Sequence, residues 1–431
     1  MLHDLYRAKK TFKGVPHIIS CGVILMPIQK TVYLAIAVII IVVIAGVAAY
    51  FMAGSPAGEK VIKIGGVGPL SAPGASIQGV ELKKGIEIAV DMINEQGGIN
   101  GKKVELIFED TQGIPEKGKA AMEKLIMKDK VVAVVGEYHS SVFLAEMEVA
   151  HKYGIPIVDA SAWSATIREK HYDEVFCTAP CTALNAEHEA RFIIHGGFKN
   201  VLILAEDTDY GIDMARDITN VLKRLGFDGN VTTEVVSRTA KDFTPTLLKY
   251  KNSPTPPDII VIPVTPPGGF LIIKQAYEIG LIPDIALAYE VTGAGDRYTE
   301  LWPAVGEGGK YLVYFTPYSP RIKLTSLGEK VREIYKKKYG SEPTYIVFNG
   351  FDAAWVLFKA IEKAGTTEPS AIIKALESIE VEGTRGVIKF STAKDPPYYF
   401  HQWIEVPVLT CQYKEVNQPT TESDIIFPPN Y

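Results

Sequence analysis

The sequence predicts an α/β fold in which two doubly wound parallel sheets follow a single apolar N-terminal helix. Short β-branched apolar runs, typical of strands buried on both faces, alternate with amphipathic helical patterns. This alternation runs through the first part of the chain and restarts after the Cys-Thr-Ala-Pro segment at 177–180. Two consecutive sets of this kind predict two sheets, and the 431 residues are enough to give each sheet its own core.

The overall composition argues against several classes of protein. The chain is 47% hydrophobic and 22% charged with a net charge of -5. No basic patch stands out beyond the N-terminus, so nucleic acid is not an expected partner. The four cysteines show no C-x-x-C spacing, so we expect neither a structural zinc site nor another metal or cofactor. A disulfide from Cys177 or Cys181 to Cys411 stays an open alternative to free thiols.

An apolar block at residues 31–52 predicts a transmembrane helix. The block contains no charged residue and no proline. It is also long enough for a helix that crosses a membrane, which needs about 20 residues. Basic residues dominate residues 1–30, which predicts that this end stays in the cytoplasm. We expect an uncleaved single-pass anchor in the cell membrane, a tether at 53–60, and the bulk of the chain outside the cytoplasm. A cleaved signal peptide is the alternative, and translation starting at Met26 is a further one.

The elements of the first set follow from apolar spacing and from the glycines that end the helices. The helix predicted at 78–95 has an apolar stripe at helical spacing and is followed by two glycines, and Gly154 ends a later helix. The predicted strands lie at 61–70, 103–108, 131–136 and 155–158, and the predicted helices at 78–95, 115–127 and 142–152.

The second set repeats the pattern from residue 184 and then gives way to helices. Its predicted helices lie at 184–195, 212–225, 244–250 and 270–279, and its predicted strands at 201–204, 231–236, 259–262, 284–288 and 311–315. Helices at 327–339, 350–364 and 369–376 and strand-like segments at 386–390 and 399–406 follow, before a polar, proline-rich tail.

Polar loops follow two neighbouring strands of the first predicted sheet. Ser140 and Ser141 come after the strand at 131–136, and the loop Ser161-Ala162-Trp163-Ser164 comes after the strand at 155–158. Because the carboxyl ends of neighbouring parallel strands face one crevice, we expect these loops to lie close together. Ser140 is also placed at a helix N-terminus, whose free N–H groups suit a carboxylate. The alternative is that these serines only cap helices.

A series of motifs resembles the leucine/isoleucine/valine-binding proteins, which are amino-acid receptors of ABC importers with the type I periplasmic-binding fold. The motifs are I-K-I-G-G-V-G-P-L-S-A-P-G from Ile62, G-I-E-I-A-V-D-M-I-N-E-Q-G-G-I-N-G from Gly85, V-V-A-V-V-G-E-Y-H-S-S from Val131, D-T-D-Y-G from Asp207 and L-I-I-K-Q-A-Y-E-I-G-L from Leu271. No single motif is decisive, but their order is specific, and the resemblance runs from about residue 61 to residue 428.

The resemblance implies two lobes that are joined by three hinge crossings and hold the ligand in the cleft between them. The crossings are expected near residues 179–180, 316–317 and 390–397. Lobe one would then combine residues 61–180 with 317–390, and lobe two would combine 181–316 with 391–431.

The resemblance also implies roles for individual residues. Ser140 would hold the α-carboxylate of an amino acid, helped by Ser161 and by the position of Trp163. Tyr210 would close over the ligand from lobe two, and Glu290 would pair with the α-ammonium. The full set expected around the ligand is Gln78, Ser140, Ser141, Ser161, Ala162, Trp163, Ser164, Tyr210, Thr265 and Glu290.

Trp163 departs from the family pattern, which has a threonine at this position. An indole cannot supply the missing hydroxyl, although Ser164 is an alternative donor. The ring also removes volume and offers a stacking face, unless it turns away into the lobe core. Leucine is therefore a weaker prediction than an amino acid as such, and an aromatic acid or an amide stays open as the ligand.

These features predict a solute-binding protein that delivers its ligand to the membrane permease of an ABC importer and is not an enzyme. His139 adjoins Ser140 directly, and adjacent residues rarely orient as base and nucleophile. The segment G-G-V-G-P does not match a nucleotide-binding loop. A receptor or sensor ectodomain is the alternative, although such a protein needs a cytoplasmic output module.

Overall fold

The computed structural model describes residues 61–289 and 298–429, together with Ile40 and Val43. The predicted anchor at 31–52, the tether and Glu290 lie outside these ranges. Within them, no helix combines the length and the apolar character that a bilayer crossing requires.

The first sheet has five parallel strands in the order β2-β1-β3-β4-β5. Its strands are β1 (Ile62–Gly68), β2 (Val104–Asp110), β3 (Ala133–Gly136), β4 (Ile157–Asp159) and β5 (Val175–Cys177). Its helices are α1 (Ser76–Glu95), α2 (Pro115–Lys124), α3 (Ser140–Tyr153) and the short α4 (Thr166–Glu169). β3 and β4 are buried along their whole length, as strands covered by helices on both faces should be.

The second sheet has seven strands in the order β14-β13-β10-β9-β8-β6-β7. The parallel strands are β6 (Asn200–Glu206), β7 (Asn230–Val236), β8 (Ile259–Ile262), β9 (Ala286–Tyr289) and β10 (Val313–Thr316). The accompanying helices are α5 (Thr182–His195), α6 (Asp209–Arg224), α7 (Thr244–Lys251), α8 (Gly268–Glu278) and α9 (Tyr298–Val305). The predicted α/β class with parallel sheets is confirmed.

The edge of the second sheet differs from the prediction. The strand-like segment expected at 399–406 forms turns and isolated bridges, with Trp403 packed in the core, and the strand itself begins at Leu409. After α10 (Ser326–Tyr339), α11 (Tyr345–Ala364), α12 (Pro369–Glu377) and the short pair β11 (Val381–Glu382) and β12 (Val387–Ile388), the chain adds β13 (Leu409–Gln412) and β14 (Asp424–Phe427). β13 is antiparallel to both β10 and β14, so the polar tail completes this sheet.

Helix α11 packs on α1 of the first sheet, although most of the chain separates the two helices. Of its 20 residues, 16 are buried. A Cβ added at Gly85 would lie 2.0 Å from the carbonyl oxygen of Val347, and one added at Gly350 would lie 2.3 Å from that of Leu82. The two helix backbones therefore touch at positions where only glycine fits.

A buried ion pair anchors the segments that leave the first sheet. Arg168 and Asp159 are fully buried with their charged atoms 3.0 Å apart. Arg168 Nε also donates to Gln402 Oε1 at 2.8 Å, and Gln402 Nε2 donates to the carbonyl of Ala179 at 2.8 Å. Two distant chain segments are thus held beside the end of β5.

The three cysteines that the structure describes are Cys177, Cys181 and Cys411; all are buried, and no disulfide joins any two of them. The alternative of a disulfide from Cys177 or Cys181 to Cys411 is therefore wrong.

Candidate functional site

A pocket lies where the carboxyl ends of the strands of the two sheets face each other. It contains about 410 Å³ of space outside the protein atoms, part of which is open to solvent. The described residues that line it are Tyr138, His139, Ser140, Ser141, Ser161, Trp163, Tyr345, Glu206, Thr208, Tyr210, Arg238 and Thr265. Most of them follow β3, β4, β6, β7 or β8 directly, where an open α/β sheet places its ligands.

The serines on the first-sheet side are arranged to donate hydrogen bonds. Ser140 Oγ accepts the N–H of Ser164 at 3.1 Å, and Ser161 Oγ accepts the side-chain N–H of Asn349 at 3.3 Å. Each hydroxyl therefore keeps its own proton for another acceptor. Ser140 and Ser141 also begin α3, so their amides have no acceptor within the helix and lie at its positive end. This set of donors suits a carboxylate.

A buried network holds Ser161 from behind. Asn349 Oδ1 accepts from Arg385 Nη2 at 2.8 Å, and the same Arg385 atom lies 3.0 Å from Asp352 Oδ2. Asp352 also accepts the backbone N–H and the hydroxyl of Thr384, both at 2.7 Å. All of these groups are buried, so the orientation of the Asn349 amide is fixed by a chain of charged partners.

Three aromatic rings in the pocket lining are in contact with one another. The ring centroid of Trp163 lies 6.4 Å from that of Tyr210 and 6.0 Å from that of Tyr345. Trp163 is 6% exposed, and among the described residues its indole N–H finds no acceptor. The ring therefore lines the pocket and packs in the apolar core at the same time.

Three of the predicted residues lie outside the pocket lining. Ser164 donates its hydroxyl to Asp213 of α6 and its N–H to Ser140, so it positions Ser140 from behind. Ala162 donates its N–H to Asp159 Oδ1 at 2.7 Å. Gln78 is 2% exposed within α1. For Glu290, which falls outside the described ranges, the role remains a prediction.

Glu206 is a pocket residue that the sequence prediction missed. Its Oε2 accepts the backbone N–H and the hydroxyl of Thr265, both at 2.7 Å, and its Oε1 accepts the hydroxyl of Thr208 at 2.5 Å. Burial raises the pKa of this carboxyl, and these hydrogen bonds oppose that shift. A signal was available, because Glu206 lies two residues after the predicted strand at 201–204.

A second buried carboxyl shapes the loop that carries the serines. Glu137 Oε1 accepts the backbone N–H groups of Tyr138 and His139 at 2.8 and 3.1 Å, and its Oε2 accepts the Thr111 hydroxyl at 2.7 Å. Burial raises the pKa of Glu137 to about 7 despite these hydrogen bonds. The loop before α3 is thus wrapped around one side chain.

The fold and the pocket together define a solute-binding protein, with hydrogen-bond donors and aromatic rings around one small cavity between two sheets. The chain belongs to the periplasmic binding protein family, whose sequence profile matches residues 61–403. The predicted family resemblance is thereby confirmed.

Individual relatives agree with this assignment. The Leu/Ile/Val-binding protein homolog 3 of Brucella melitensis is 27% identical, over 79% of this chain and 91% of its own length. The branched-chain amino acid transporter substrate binding protein of Streptococcus pneumoniae, solved with isoleucine, has a TM-score of 0.73 at 22% identity and covers 85% of this chain and 99% of its own. A solute binding protein of an ABC transporter from Rhodopseudomonas palustris, solved with 3,4-dihydroxy benzoic acid, has a TM-score of 0.70 at 22% identity, with coverages of 82% and 93%. These solved structures share the fold of this chain.

Proposed function

We propose that this protein captures a small solute with a carboxylate, an amino acid of the branched-chain type or an analogue, and delivers it to the membrane permease of an ABC importer. The observation that carries the proposal is the set of hydroxyl and amide donors that Ser140, Ser141 and Ser161 present to one pocket. The protein would bind and release the solute without chemical change.

The donors match a carboxylate in both charge and number. Two hydroxyls whose oxygens already accept hydrogen bonds have protons left to donate, and the first amides of α3 add donors at a helix N-terminus. Hydrogen bonds to a charged group contribute about 1.5–3 kcal/mol each, so the Ser140 hydroxyl alone would change the affinity by about one to two powers of ten.

An amino-acid ligand also needs a partner for its ammonium group. Glu290 remains our proposed partner, and the described part of the pocket offers a second candidate in Glu206. The oxygens of Glu206 accept three hydrogen bonds, which leaves acceptor capacity for a cation.

A comparison of Glu290→Gln with Glu206→Gln would show which of the two carboxyls binds the ammonium group of the ligand. We expect Glu290→Gln to weaken an amino-acid ligand at least tenfold while leaving the affinity for a carboxylic acid without an amino group within twofold. Titration calorimetry measures both affinities. An unchanged amino-acid affinity in Glu290→Gln, together with a loss in Glu206→Gln, would transfer the role to Glu206.

We propose that the pocket closes between the two lobes of residues 61–180 with 317–390 and residues 181–316 with 391–431. The packing of α11 on α1 and the position of β13 and β14 in the second sheet support this division. Hydrogen bonds across it, such as those of Ser164 and Thr166 with Asp213, support a closed arrangement. Ligands that contact both lobes would favour closure because they bind the closed state more tightly.

The location of the protein is also part of the proposal. The family description favours a position outside the cytoplasm, where a receptor would meet its solute before the permease does. The apolar block at 31–52 would then hold the chain at the membrane as a single-pass anchor.

An aromatic acid is a second candidate ligand, favoured by Trp163. This ring lines the pocket beside Tyr210 and Tyr345, and aromatic faces pack well against a planar ligand. The Rhodopseudomonas palustris protein with the same fold was solved with such an acid.

A thermal-shift screen of the full-length chain, purified in mild detergent, tests the proposed function. The screen would contain amino acids, aromatic acids and their amides, because a ligand that binds only the folded state raises the unfolding temperature. We expect hits among compounds with a carboxylate and a loss of these hits in Ser140→Ala. A folded protein that responds to no compound of the screen, or that chemically converts a hit, would contradict the proposal.

A further inference from the structure

We propose that Arg238 and His139 form a subsite for a second carboxylate of the ligand, so that the preferred ligands are small dicarboxylates, acidic amino acids included. This inference rests on the proposed capture of a solute with a carboxylate and, within that class, places dicarboxylates before amino acids of the branched-chain type. The second carboxylate would bind at the outer end of the pocket, whereas the serines would bind the first carboxylate at the inner end.

The tautomer of His139 follows from its hydrogen bond to the backbone. The N–H of Ala75 lies 3.0 Å from His139 Nε2. An amide N–H can only donate, so Nε2 must be the unprotonated nitrogen and Nδ1 must carry the proton. The ring is 6% exposed, and burial together with the Arg238 charge lowers its pKa to about 3. His139 is therefore neutral at physiological pH and presents an Nδ1–H donor.

This donor faces another donor on the opposite side of the pocket. Arg238 Nη1 lies 3.3 Å from His139 Nδ1, and a guanidinium has no acceptor. The two groups consequently cannot hydrogen-bond each other. An oxygen anion placed beside both N–H groups would satisfy them together, in the way that carboxylates are recognised by arginine.

Within residues 61–289 and 298–429, no carboxylate forms an ion pair with the side chain of Arg238. Its backbone N–H is fixed by Asp207 Oδ1 at 2.8 Å, while its side chain reaches the pocket. Glu206 is near enough for the Arg238 charge to lower its pKa, but its oxygens accept hydrogen bonds from Thr208 and Thr265 and do not form an ion pair with Arg238.

The surroundings of this pair separate it from the serines. His139 and Arg238 line both the pocket and a wider groove that continues outward, whereas Ser140, Ser141 and Ser161 line the pocket alone. The described lining of the groove adds Lys241 and Lys274 and includes no acidic side chain. A ligand with one carboxylate at the serines would therefore direct its second acidic group toward a positive region.

Matched ligand pairs test the subsite by titration calorimetry on the full-length chain. L-Glutamate and L-glutamine differ only in the distal group, and glutarate lacks the amino group. We expect L-glutamate to bind at least tenfold more tightly than L-glutamine. Arg238→Gln should weaken L-glutamate at least tenfold and L-glutamine at most twofold. The control Arg191→Gln, at an exposed arginine that lines neither the pocket nor the groove, should change each affinity by less than twofold. Glutarate binding within tenfold of L-glutamate would also support the subsite.

Two results would overturn the inference and leave the proposed function intact. An equal loss for L-glutamate and L-glutamine in Arg238→Gln would place Arg238 at the carboxylate that both ligands share. Binding of L-leucine or benzoate without binding of either dicarboxylate would show that no second carboxylate is accepted. Failure of every carboxylic acid to bind the folded chain would instead overturn the proposed function itself.

Discussion

The two sides of the pocket are built differently. On the first-sheet side, hydroxyl and amide donors are held by buried neighbours, among them Asn349, Arg385 and Asp352. The second-sheet side contributes the charged groups Glu206 and Arg238, and Arg238 is partly exposed. Under the proposed function, the first side would fix the position of one ligand group, and the second side would select ligands by charge.

The largest expected effect concerns the buried ion pair behind Ser161. Asp352→Ala would leave Arg385 charged and unpaired in the core and would remove the acceptor of Thr384, so we expect a loss of about 3–5 kcal/mol in the free energy of unfolding. Urea denaturation measures this loss. The exposed pair Arg321–Asp424 is the control, and Asp424→Ala should cost less than about 1 kcal/mol. Similar losses in the two variants would show that the first side is not held by its buried charges.

The next effect concerns binding. Ser140→Ala removes a donor to the ligand carboxylate, so we expect the affinity to fall by about one to two powers of ten, or about 1.5–3 kcal/mol. Titration calorimetry with the best ligand of the screen measures the change. The matched control is Ser253→Ala, because that hydroxyl contacts only its own loop. A loss below twofold in Ser140→Ala would remove this serine from the binding site.

The smallest expected effect is a change in how stability depends on pH. Burial raises the pKa of Glu137 to about 7 in the folded state. Below pH ~4.5 this carboxyl is protonated in both states, and between ~4.5 and ~7 the unfolded state loses the proton first. Its contribution to stability is therefore present at low pH and is lost as the pH rises to about 7.

Glu137→Gln should consequently flatten the fall in the unfolding temperature over this pH range. The exposed Glu105→Gln serves as the control and should leave the slope unchanged. An identical slope in the wild type and in Glu137→Gln would contradict the raised pKa.

The sequence predicted the parts of the fold and the site that depend on local patterns. The serine loops follow short buried strands, so the position of a strand end was enough to place Ser140 and Ser161 in one crevice. The same rule applies to Glu206, which ends the strand β6 but was not among the predicted site residues. The strand expected at 399–406 was placed too early, and β14 was not predicted, because proline and polar residues interrupt the apolar pattern of this region.

The remaining parts of the site depend on contacts between distant residues. Asn349 contacts Ser161 although 188 positions of sequence separate them, and Arg238 meets His139 from the other sheet. Neither contact has a periodicity or a motif that could reveal it. The tautomer of His139 in turn depends on the Ala75 amide, which only the folded structure places beside the ring.

The close approach of α1 and α11 has a consequence for the order of folding during synthesis. The apolar face of α1 emerges from the ribosome early, but its partner around Gly350 is translated only after the whole second set of parallel strands. This face of the N-terminal part stays uncovered until the C-terminal quarter of the chain has been made, and the second sheet lacks β13 and β14 until the same stage. A chaperone that covers exposed apolar helices would therefore act mainly on the residues made first.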